Sequence, residues 1–175
     1  MVGLRLSDKG TLTGNGRMYN SYQGYGNCFG TLGAGGAIAP GRPGTDEAGT
    51  IFVGFDRFTF ASNSTFAVNI ASNGADLFDG VTAAPWYRVP VTIDPNANLN
   101  VKLWTPRTNW TLGVGATILV TSNNAINGTF KVNWQNSNYW SNLQVNYDTT
   151  SPMNRIYITG SYTAPPPAGT TIFFL

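Results

Sequence analysis

Between positions 88 and 160, apolar and polar residues alternate in short segments cut by turn-forming residues. The segments are 88–93, 99–104, 114–120, 128–134 and 143–147, with 155–158 as a sixth. A strand sends successive side chains to opposite faces. Phe130, Val132 and Trp134 therefore share one face, and Thr129, Lys131 and Asn133 the other. Leu143, Val145 and Tyr147 repeat the pattern, with Gln144 and Asn146 outside. Upstream, residues 50–60 are rich in strand formers, and Phe66, Val68 and Ile70 alternate within 64–70. Residues 4–12 predict a short strand or hairpin, and 171–175 a last strand. Asn73-Gly74, Asp79-Gly80 and Asn127-Gly128 are turn dipeptides. Asp94-Pro95-Asn96-Ala97-Asn98 predicts a tight hairpin loop between two flanking strands. No internal repeat of fixed period is evident. Roughly eight or nine short strands at this spacing predict an all-β fold, an antiparallel two-sheet sandwich of jelly-roll type.

Residues 1–48 read differently from 49–175, which we take as the β-sandwich domain. Glycine recurs throughout 1–48, where few side chains can pack. Yet Tyr19, Tyr22, Tyr25 and Phe29 lie among those glycines, which a polar Gly/Ser linker would not carry. Three readings fit: a long loop lying on its own sandwich, an extended arm that embraces a neighbouring subunit, or a disordered tail. The second makes those four aromatics subunit-interface residues. Phe173, Phe174 and Leu175 join them, because an apolar strand at a terminus calls for burial against its own sheet or a partner.

Composition narrows the function classes. Charged residues make up 10% of the chain, where about 25% is usual, and Asn, Thr, Ser and Gly supply the polar surface. That mixture disfavours helices. The net charge of +2 comes from dispersed cations, without the clusters that nucleic-acid binding needs. No apolar run approaches the roughly 18 residues of a membrane helix. The first residues lack the apolar core of a signal peptide. Cys28 is the single cysteine, so no intrachain disulfide is expected; its simplest role is that of a small apolar residue.

Candidate chemistry is sparse. With His absent, triads and His/Cys zinc sites are excluded. The paired carboxylates Asp46-Glu47 and Asp76/Asp79 lie in loop-like segments and read as turn residues. Glycines 36 and 41 have phosphate-loop spacing, but Arg42-Pro43 stands where Lys and Ser/Thr are needed. Asp94, Asn96 and Asn98 match the first ligands of a calcium loop, but Leu99 and Thr105 replace its Gly and Glu. Neither a cofactor, nor a metal, nor a catalytic residue is expected. The five tryptophans remain. Residues 134–140 form the best local candidate for a sugar-stacking platform, built on Asn138, Tyr139 and Trp140.

The low charge, the Asn/Thr/Gly-rich all-β body, the Gly/Tyr arm and the apolar C-terminal strand together resemble virion proteins. The likeness is to the jelly-roll cement or decoration proteins of tailed-phage capsids, and it is one of composition and layout over the whole chain. It implies a non-enzymatic capsid-surface protein made in the host cytoplasm. The implied assembly is a homotrimer bound to a major capsid protein, with no direct contact to nucleic acid or membrane. The alternative is a carbohydrate- or receptor-binding module at a spike or fibre tip.

Overall fold

The computed structural model describes residues 2–7, 9–19, 28–41, 47–72, 74–80, 89–106, 108–112, 115–122, 126–149 and 153–166. Among these there is no helix, and eighteen strands form three sheets. The chain winds through the sheets in order, one strand in each per turn. The first coil is β1 (Val2–Leu6), β2 (Thr11–Gly14) and β3 (Gly16–Tyr19). The second is β4 (Cys28–Leu32), β5 (Ala37–Pro40) and β6 (Thr50–Gly54). The third is β7 (Arg57–Phe60), β8 (Thr65–Ala71) and β10 (Leu77–Asp79), with β9 (Gly74–Ala75) folded back on β8. The fourth is β11 (Val91–Ile93), β12 (Asn98–Leu103) and β14 (Ala116–Ser122), with β13 (Trp110–Thr111) on the way. The fifth begins with β15 (Ile126–Asn127) and β16 (Lys131–Gln135).

Each strand pairs in parallel with its counterpart one coil away. The first sheet runs β1-β4-β7-β11-β15, and the second runs β2-β5-β8-β12-β16. The third runs β3-β6-β10-β14 and is closed by β18 (Met153–Tyr162), antiparallel to β14. A final strand, β17 (Trp140–Asp148), lies on the far side of β18, also antiparallel. This is a three-sided parallel β-helix with an antiparallel closure. The expected antiparallel two-sheet jelly roll is therefore wrong. Among the described strands every antiparallel pair involves β9 or β18. Alternation shows that a strand has one buried face; it carries no information about partner or direction. A coil with one inward face per strand produces the same pattern as a sandwich.

The link from the first to the second sheet is the same turn in four coils. N–H groups of Gly10, Gly36, Ser64 and Ala97 donate to the carbonyls of Ser7, Gly33, Ala61 and Asp94 at 2.8–3.2 Å. The turns also stack. Lys9 N–H donates to Gly35 O, Gly35 N–H to Asn63 O, and Asn63 N–H to Asn96 O. Lys9, Gly35 and Asn63 all have φ between 59° and 75°. Left-handed backbone suits Gly and Asn best, and those residues occupy two of the three places. Asp94 to Asn98 is thus a corner and not a hairpin loop: it joins β11 to β12, which lie in different sheets.

The core is a set of inward columns, one residue per coil. Leu6, Leu32, Phe60 and Ile93 make one column. Leu12, Ile38, Phe66, Leu99 and Val132 make a second. Ile51, Phe78, Leu119 and Ile156 make a third. The rings of Phe58, Phe60, Phe66, Phe78 and Phe130 meet across the interior, with centroids 4.9–6.1 Å apart. Each buried Phe contributes about 2–3 kcal/mol, and edge-to-face pairs add to that. Gly30 stands where Phe58 needs room: a Cβ there would overlap the Phe58 ring. The described residues of 1–48 supply β1 to β5, paired in ladders with later strands.

Candidate functional site

The corner between the second and third sheets is irregular, because each coil inserts a different length there. A buried carboxylate organises it. Asp76 is fully buried. Its Oδ1 accepts from Gly49 N–H at 2.7 Å, and its Oδ2 from Asn69 N–H at 2.7 Å and Asn69 Nδ2 at 2.8 Å. Burial raises its pKa above the ordinary 3.8, and the three N–H donors pull the other way. Two coils earlier, in the link between β2 and β3, Asn15 Oδ1 accepts from Thr50 N–H at 2.7 Å. Asp76 and Asn15 thus take up backbone donors at a corner where the ladder is interrupted. With its lone pairs committed to this clamp, Asp76 is a structural group.

In the third and fourth coils the same corner opens into a cleft. One cavity of about 250 Å³ is lined by Asn69, Ile70, Lys102, Trp104, Thr105 and Asn136, among others. A second, of about 330 Å³, shares Ile70 and is lined by Ala71, Ser72, Trp110, Leu112 and Thr117. A third groove of about 330 Å³ continues from Thr111 and Leu112 over Asn142, Gln144, Thr159 and Ser161. Among the described residues, no carboxylate lines any of the three, and Lys102 is the one charged residue on their walls.

Two half-buried indoles stand in this cleft. Trp104 and Trp110 meet edge to face, centroids 5.6 Å apart at 83°. Behind them Trp140 is 9% exposed and lies at 88° to Trp110. Its Nε1–H donates to Trp104 O at 3.2 Å. Trp104 N–H donates in turn to Ile70 O at 2.8 Å. Tyr162, 3% exposed, packs on Trp140 from the other side. The two outer rings are therefore held by a buried aromatic layer.

The residues singled out in the sequence scatter. Of Asn138, Tyr139 and Trp140, only the first two are exposed; Trp140 is the buried support and opens β17. Tyr139 is 58% exposed and has φ of 68°. It lies in the turn that begins with Asn136, a residue of the cleft wall. Phe29 is half-buried in β4 beneath the Arg57 guanidinium, 5.7 Å from the ring centroid. Tyr19 ends β3. Tyr22, Tyr25, Phe173, Phe174 and Leu175 lie outside the described residues. Asn69, Trp104, Trp110 and Asn136 were not legible as a group, since they lie on β8, the link after β12, β13 and the turn before β17. The one available signal was Trp at 104 and 110, six positions apart in a link rich in polar residues.

A second feature lies at the start of the coil. Leu6, Leu12 and Met18 point inward but are half-buried, while their partners Leu32, Ile38 and Val53 are 0% exposed. Among the described residues no strand pairs with the outer edges of β1, β2 and β3. Arg5, Lys9 and Arg17 are exposed around this end. No protein-family model, curated protein or solved structure matches the chain.

Proposed function

We propose that the chain is a non-enzymatic structural module of a larger protein shell, a virion in the reading its composition suggests, attached to a neighbouring subunit through its first coil. The outer edges of β1, β2 and β3, unpaired among the described residues, carry this reading. Open strand edges are templates for pairing with another chain, and terminal coils of solenoids need a cap. Here three edges and three half-buried apolar side chains lie together. Among the described residues, the exposed cations Arg5, Lys9 and Arg17 give the rim a basic character. Lys131, exposed on β16 at the other end, has the same sign. End-to-end stacking of identical copies would bring like charges together, so a different subunit with an acidic rim is the better fit. A homotrimer, as the resemblance to decoration proteins implies, would form through the sides of the coil and leave this end free for the shell's major protein.

Leu12→Asp tests the reading. Leu12 is half-buried, so the substitution is expected to leave a folded chain, checked by circular dichroism. In lysates of producing cells, wild type should sediment with assembled particles and Leu12→Asp should stay soluble. The proposal fails if the folded variant sediments like wild type, or if wild type itself stays soluble.

A further inference from the structure

We propose that the cleft around Trp104 and Trp110 is a binding site for a neutral oligosaccharide. Three properties select this class. First, half-buried indoles offer apolar ring surface of the kind that the C–H face of a pyranose covers. The rings are pre-set by Trp140 and its hydrogen bond to Trp104 O, so little order is lost on binding. Second, the polar groups beside them are amides and hydroxyls, which suit sugar hydroxyls as donors and acceptors. Asn69 has its Nδ2 committed to Asp76, which leaves Oδ1 as the end of that amide for a ligand hydroxyl. Asn136 is held in the left-handed region at φ 57° in an exposed turn, so its amide is positioned by the backbone. Third, the cleft is extended: the three cavities adjoin through Ile70 and through Thr111 and Leu112, with room for successive rings.

The other ligand classes fit less well. A nucleic-acid strand needs clustered cations for its phosphates, and among the described residues Lys102 is the single cation on these walls. A drug-like apolar ligand needs an enclosed, mainly apolar pocket, whereas Asn69, Lys102, Thr105 and Asn136 wall one end. This site differs from the surface platform of Asn138, Tyr139 and Trp140, because Trp140 supports the cleft from behind.

The test is titration of the full chain with chitotriose, cellotriose and maltotriose, up to roughly 10 mM each, read by tryptophan fluorescence and saturation-transfer NMR. At least one sugar should bind and change the indole emission. Trp104→Phe keeps an aromatic filler and should weaken binding about tenfold. Asn136→Gly removes the amide at a position glycine tolerates, and should weaken binding about threefold without altering thermal unfolding. If Trp104→Phe does not fold, Asn136→Gly decides alone. The proposal is overturned if none of the three sugars gives a signal, or if binding is equal in wild type and the folded variants. Particle attachment through the first coil is read separately, so either result leaves the other standing.

Discussion

At the scale of residues, Asp76 separates two effects of a buried carboxylate. Its oxygens accept from two backbone N–H groups and one amide. A protonated carboxyl still accepts on both oxygens; the amide nitrogen of Asn does not. Asp76→Asn should therefore cost about 1–3 kcal/mol, because one buried N–H loses its acceptor. Burial also raises the folded pKa above 3.8. The contribution of this group is then complete below the unfolded pKa and declines as pH rises through the folded one. Urea unfolding from pH 3 to pH 7 should show this decline in wild type and not in Asp76→Asn, against the background of the other carboxylates. Identical pH profiles would show that Asp76 titrates normally. Asp76 stood in the sequence as a loop carboxylate, read as a solvated turn residue. The burial that changes its role comes from β5, β6 and β8, whose proximity no local pattern encodes.

At the scale of elements, the corners decide the fold. Gly128 follows β15 with φ of 93°, and a Cβ there would overlap the Ile93 carbonyl oxygen. Gly128→Ala combines backbone strain with a clash against backbone, so it should lower stability by more than about 2 kcal/mol. The urea midpoint should fall with an unchanged slope. A loss below about 0.5 kcal/mol would mean that the corner relaxes freely. The corners also explain what was missed in the sequence. Thr31-Leu32-Gly33-Ala34-Gly35-Gly36-Ala37-Ile38, Thr59-Phe60-Ala61-Ser62-Asn63-Ser64-Thr65-Phe66 and Thr92-Ile93-Asp94-Pro95-Asn96-Ala97-Asn98-Leu99 share one form. Each has an apolar residue, a four-residue turn with Gly or Asn third, and an apolar residue two positions on. That is a repeat, but its copies are unevenly spaced, because the links at the other corners differ in length. A search for a fixed period passes over it.

At the scale of the whole molecule, stability should be graded along the coil axis. In a solenoid each coil touches only its neighbours. Among the described residues, the central strands β7, β8, β11 and β12 are paired on both sides, while β1 to β3 are paired on one. Native-state hydrogen exchange of the isolated chain should therefore show the slowest amides in the central strands and faster exchange in the first coil. Equal protection throughout would show that the first coil is covered in solution.

The β character, strands β6 to β8, β11, β12, β14 and β16 to β18, and the inward set of Phe66, Val68, Ile70 and Phe130 follow from the sequence alone, because side-chain alternation is a local property of an extended backbone. Low charge and the absence of His exclude whole classes of chemistry in the same way. Strand direction, the three-sided coil, the buried role of Trp140 and the joining of Trp104, Trp110, Asn69 and Asn136 belong to the tertiary structure. Each depends on which residues meet across a full turn of the coil. That pairing is set by the lengths of the corner links and by the close fit of neighbours such as Gly30 and Phe58, neither of which leaves a periodic trace in the chain.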